Sequence, residues 1–125
     1  MTVKELYELA KSMMFEKKTS KDYDNYYIPW INVLLVDNFS LNNHLRIKHN
    51  KEALTEVPLI SEDTDEIEYE IEMCYEVLPY GLAAKFFIDD DLSKYDIFNT
   101  DYENRQSKYM WGLEVAVEDV YGSVD

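Results

Sequence analysis

The sequence predicts a mainly α protein: a small helical bundle built on a long antiparallel αα-hairpin, with one short β-hairpin or extended arm. Apolar residues recur at three- and four-residue steps over most of the chain, the period of a helix with one buried face. Glycine and proline are scarce, with three of each in 125 residues. A hydrophobic share of 46% against 30% charged is the balance of a folded chain with a single core. One domain over residues 1–125 follows from that length.

The opening "TVKE" places Thr2 as N-cap and Glu5 three positions on, a capping box that pairs two orphan backbone donors at a helix start. Val3, Leu6, Leu9, Ala10, Met13 and Met14 then share one face, so a first helix runs to about Phe15. "EKKTSKD" is a polar connector. Between Asp22 and Lys48, Tyr27, Trp30, Ile31, Leu34, Leu35, Leu41 and Leu45 keep helical spacing. Pro29 sits where a helix start would lack a partner for an N–H anyway, so a turn over Tyr23 to Tyr27 precedes the helix proper. An interruption is expected near Ser40, in "NFSLNN". Residues 1–48 thus hold the N-terminal helices.

Residues 49–66 change character. "ALTEVPLIS" is apolar and β-tolerant, but Pro58 cannot donate to a ladder, so an edge strand or extended arm is expected. Residues 67–110 return to helical period. Ile67, Ile71, Cys74, Leu78, Leu82 and Phe86 form one stripe, and Leu92, Tyr95, Phe98, Tyr102 and Tyr109 a second. The acidic corner Asp89, Asp90, Asp91 joins them into an αα-hairpin. Pro79 removes the bond to the Tyr75 carbonyl and should bend the first arm, while Gly81, Ala83 and Ala84 make a thin surface for a close helix neighbour. In residues 112–122, Leu113, Val115 and Val117 alternate with Glu114, Ala116 and Glu118, which predicts a C-terminal strand that pairs with the arm.

Charge narrows the chemistry. The net charge of −14 opposes non-specific binding to a phosphate backbone. It is uneven: residues 1–51 carry eight Lys/Arg against six Asp/Glu, and residues 52–125 carry four against twenty. A basic partner or head-to-tail self-association would exploit that split; a solvated acidic face is the plainer reading. The first residues lack the apolar run of a signal peptide, no stretch is long and apolar enough to cross a bilayer, and one cysteine cannot form an internal disulfide. A cytosolic chain is the expectation.

No motif announces catalysis. Counted from Asp89, a calcium loop would need glycine at its sixth position and glutamate at its twelfth; Lys94 and Thr100 stand there. The three aspartates are therefore assigned to capping the next helix. His44 and His49 have no third metal ligand at a recognised spacing, and Cys74 lies on an apolar stripe with no cationic neighbour. Gly81, Gly112 and Gly122 form no phosphate-binding loop. Neither metal nor cofactor is expected. Eleven tyrosines are the one compositional bias, suited to core edges and interfaces.

From "DEIEYEIEMCYEVLPYGLAAKFFIDDDLSKYDIFNTDYENR" to "EDVYG" the chain resembles the head-tail connector, or head-completion adaptor, proteins of tailed bacteriophages. Leu78, Tyr80, Gly81, Leu82, Ala83 and Ala84 match their small-residue run, Asp89 to Asp91 the acidic corner, and Tyr102 the closing aromatic. The likeness covers residues 65–122 best, and rests on packing residues. It implies a non-enzymatic virion or prophage subunit that forms a ring under the portal, docks a tail or stopper protein and extends the DNA channel. Such a subunit would work in the bacterial cytoplasm during assembly and then in the virion neck. Pro79, Gly81, Ala83, Ala84, Asp89, Asp90, Asp91 and Tyr102 are its structural or interface candidates. An acidic lumen past which DNA slides would suit the charge. Two other classes stay open: a small acidic module or inhibitor acting on a basic protein, and a hydrolase using the carboxylates of residues 62–72.

Overall fold

The structure, a computed structural model, describes residues 1–16 and 20–122, with side chains as far as Met110. Among the described residues the α-helices are α1 Val3–Met13, α2 Tyr27–Asp37, α3 Phe39–Lys48, α4 Leu78–Phe87 and α5 Leu92–Gly122. A π-helical turn over Met73–Val77 leads directly into α4. The fold is the mainly helical bundle that the periodicity predicts.

At the start of α1 every orphan donor finds a partner. Glu5 N–H donates to Thr2 Oγ1, and Thr2 N–H to Glu5 Oε1, each at 3.1 Å. Val3 and Lys4 N–H reach across the fold to the carbonyls of Asp65 and Asp63, each at 2.9 Å. The helix stops two residues before Phe15, which adopts a left-handed conformation (φ 62°) while Glu16 N–H closes back on the Lys11 carbonyl at 2.8 Å.

The break between α2 and α3 falls at Asn38, two residues before the expected Ser40. Asparagine competes with the helix for its own backbone groups. Here the Asn38 Nδ2 donates to the Leu34 carbonyl at 2.9 Å and to the Tyr102 hydroxyl at 2.9 Å. Gln106 Nε2 adds a bond to Asn38 Oδ1 at 2.8 Å, and the Tyr102 hydroxyl donates to Asp37. The joint is thereby tied to α5.

Residues 49–66 are an extended arm and not a strand. Their sole ladder contact among the described residues is an isolated bridge from Thr2 to Glu66. Asparagine amides on the helices pair with the arm instead. Asn43 Nδ2 donates to the Leu54 carbonyl at 3.1 Å while Leu54 N–H donates to Asn43 Oδ1 at 2.8 Å. Asn32 brackets Ile60 in the same way, at 2.9 and 2.8 Å. Glu70 N–H donates to Asn42 Oδ1 at 2.7 Å. The expected strand partner is absent because residues 113–117 continue α5 to Gly122. A helix pairs its own backbone groups, whereas a lone strand needs a neighbour for them.

α4 is the central element, apolar on all sides and packed against α1, α2 and α5. The bend expected at Pro79 appears as the π turn just before it. Leu78 N–H donates five residues back to Met73, and Pro79, in the first turn of α4, needs no donor of its own. Ile71, assigned to the buried stripe, is 69% exposed, and Tyr69 and Glu70 are buried in its place. The helix also begins at Ile71, since Ile67 belongs to the arm's end.

The αα-hairpin is present, but Leu92, assigned to its second stripe, is 69% exposed, and Asp89 and Asp90 lie exposed at the corner and not in the cap. Asp91 caps α5 by accepting from Lys94 N–H at 3.1 Å. Tyr95, Phe98, Tyr102 and Tyr109 turn toward the core. At Gly81 the packing is tight: a Cβ there would lie 2.8 Å from both Leu34 Cδ2 and Tyr102 Cε1. Gly81→Leu should therefore lower unfolding free energy by about 1–3 kcal/mol, read from denaturant melts; an unchanged midpoint would remove the close contact. Asn32→Ala and Asn43→Ala should each cost roughly 1–2 kcal/mol by stranding both groups of an arm residue. Hydrogen exchange at the Ile60 and Leu54 amides, respectively, should accelerate, and unaltered protection would show that something else holds the arm.

Candidate interaction surface

Of the residues that the sequence singles out, Pro79, Gly81, Ala83, Ala84 and Tyr102 are buried within the chain. They set the path and spacing of α4 and α5. Asp91 is the α5 cap, while Asp89 and Asp90 are exposed at the hairpin corner. The eight therefore separate into an internal group and a corner, and the corner opens onto a groove that the sequence does not reveal.

That groove has a volume of about 380 Å³. One wall is the turn into α2, with Asp22, Tyr23, Tyr26 and Trp30; the other is the end of α4, with Lys85, Phe86, Ile88, Asp89 and Asp90. Tyr23 stacks on Phe86 with ring centroids 4.3 Å apart and planes 12° from parallel, which fixes one wall against the other. Lys85 Nζ lies 5.2 Å from the Trp30 ring centroid, a cation over an aromatic face. Burial pushes the Tyr23 phenol above its ordinary range, and the negative charges of Glu16, Asp90 and Asp22 push the same way. The groove is thus aromatic inside and anionic at its rim.

An apolar stripe continues from it. Tyr26, Pro29, Val33 and Val36 recur at three- and four-residue steps along the outer side of α2, and all are exposed. Tyr26 is 56%, Val33 47% and Val36 58% accessible. The inner side of the same helix buries Ile31, Leu34 and Leu35. α2 is apolar on nearly its whole circumference, yet Pro29, Val33 and Val36 are left exposed.

A second polar cluster lies at the end of α3. Glu70, only 5% exposed, meets Arg46 at 3.8 Å, His49 Nδ1 at 2.8 Å and Lys51 at 3.0 Å. The other ring nitrogen of His49 lies 2.9 Å from Glu72. Its chemistry is that of a clasp holding the arm's two ends together. The basic run "HLRIKHNK" and the acidic run "EIEYEIE" hint at such complementarity in the sequence, but their meeting is tertiary. Cys74 is buried in the core, and desolvation pushes its thiol up to about 11. His44 stands exposed.

Among the described residues no three His, Cys, Asp or Glu side chains gather as a metal site, and no helix is long and apolar enough to cross a membrane. Neither a family model, nor a curated protein, nor a solved structure matches the chain.

Desolvation of Glu70 opposes its ionisation, but the bonds from His49 and Lys51 outweigh it and hold the carboxyl below its ordinary value of 4.5. A carboxyl depressed in the folded state stabilises fully above the unfolded value and loses that contribution as pH falls through the folded one. Glu70→Gln should lower stability at neutral pH and flatten the decline below about pH 4.5. Melting temperatures across an acid titration check this; parallel curves for both proteins would deny the clasp its role.

Proposed function

We propose that the chain is a non-enzymatic structural adaptor of a tailed bacteriophage or prophage. In this reading it forms a ring under the portal and docks the tail or stopper protein. The carrying observation is α2, whose outer side leaves Tyr26, Pro29, Val33 and Val36 uncovered on a helix that is apolar nearly all round. A soluble chain retains such a stripe most readily where another subunit covers it. The resemblance of residues 65–122 to head-tail connectors supports the same reading. The hairpin behind it is internally locked at Gly81, so each subunit would present its outer faces in fixed geometry. The four basic against twenty acidic residues of 52–125 suit a channel wall past which DNA slides.

A second reading is favoured by the groove: an acidic module that binds a basic protein without ring formation. The two part in solution. Light scattering and negative-stain imaging, alone and with the portal of the same genome, should show a ring that Val33→Glu with Val36→Glu abolishes without loss of helicity. Monomer in every mixture, with undecorated portals, would remove the adaptor reading. Salt-sensitive binding to a basic partner in place of a ring would install the second.

A further inference from the structure

The groove between the turn into α2 and the hairpin corner already holds one cation, and its construction invites another. We propose that it seats an arginine side chain of the one partner protein that also covers the Tyr26–Val36 stripe in the assembly; this deepens the reading of the chain as an interaction protein. Three features argue for that occupant. Tyr26 and Trp30 bring aromatic rings to the groove beside the Tyr23–Phe86 stack, and a guanidinium plane can stack on them. Asp22, Asp89 and Asp90 supply carboxylates at the rim, where a guanidinium's forked donors find bidentate acceptors. The volume of about 380 Å³ lies within that of ligand-holding clefts, roughly 300–1,000 Å³.

Lys85 acts as placeholder. Its ammonium over Trp30 occupies a ring face that an incoming guanidinium would take, and lysine is the more strongly hydrated of the two cations. An arginine therefore displaces it toward solvent at small expense. Charge complementarity extends beyond the rim, because the chain as a whole carries −14. The continuity of groove and stripe at Tyr26 puts the partner's basic residue at one end of a run of apolar ones at helical steps.

The probe is a short helical peptide with one arginine ahead of leucines at three- and four-residue steps, compared with the same peptide carrying citrulline, which keeps the shape and loses the charge. Titration of the full chain is followed by the Trp30 indole N–H resonance, assigned with Trp30→Phe. The arginine peptide should shift that signal at up to millimolar concentration, and citrulline should weaken binding at least roughly threefold. Asp89→Asn with Asp90→Asn should weaken it similarly; both side chains are exposed and lie outside the α5 cap, so helicity should stay unchanged. Lys85→Met should tighten it. Equal affinity for citrulline, shifts confined to other signals, no binding at millimolar peptide, or a Lys85→Met protein that binds no better would each overturn the proposal. Portal rings that form while the peptide fails would sink the groove alone, and a peptide that binds where rings do not form would sink the adaptor alone.

Discussion

The pairing of helix asparagines with an extended backbone is the interaction on which the rest depends. Residues 49–66 must cross the bundle to join its two halves, and no strand lies beside them among the described residues. A carboxamide carries one acceptor and a donor group in the geometry of a peptide unit, so it can replace a missing strand residue by residue. Asn32 and Asn43 do this at Ile60 and Leu54, while Asn42 lends Glu70 an acceptor alone. With Asn38 holding the α2–α3 joint against Tyr102, four asparagines on two short helices fix the course of the whole middle of the chain. Any other side chain of that size would satisfy at most one of the two groups in each bracket.

The hairpin depends on that arrangement in turn. Gly81 brings α4 against Leu34, which lies one turn before Asn38, and against Tyr102, which receives the Asn38 amide. The π turn leads straight into Pro79, and its Glu76 carbonyl accepts from Arg105 at 3.3 Å, while the Arg105 guanidinium lies 3.7 Å from the Tyr80 ring centroid. Tyr109 and Lys108 reach the Glu76 carboxylate, so α5 grips the turn from its outer side. Small residues, a proline and an extra helical residue thus form one device for close approach.

What is local was legible in the sequence. Thr2 and Glu5 announce the α1 start, and the stripes from Leu78 to Phe86 and from Tyr95 to Tyr109 announce the hairpin, because each signal is complete within a few turns. The alternation of Leu113, Val115 and Val117 misleads for the opposite reason: a strand is defined by its neighbour, which no single segment contains, and α5 continues instead. Asn42 and Asn43 read as ordinary polar positions of an amphipathic helix until residues 54 and 70 arrive. Of the groove, the sequence showed only the Asp89–Asp90 corner, and that as a helix start. Its aromatic half lies some sixty residues earlier in the chain, in a stretch that reads as a turn, and only folding brings the two together.

The capping of α1 by the far end of the arm has a consequence for synthesis. The ribosome releases α1 first, but the carbonyls of Asp63 and Asp65 that complete its first turn emerge only after α2, α3 and most of the arm. An isolated helix of 11 residues is marginal in water. The chain should therefore leave the tunnel with its N-terminus waiting, build the α2–α3 unit, and close α1 over the arm late. Closure over that sequence distance makes the N-terminal segment a slow step compared with the hairpin, whose contacts are local. Until then the inner face of α1 stays exposed to any holding chaperone, and a helix translated ahead of its caps is among the last to settle.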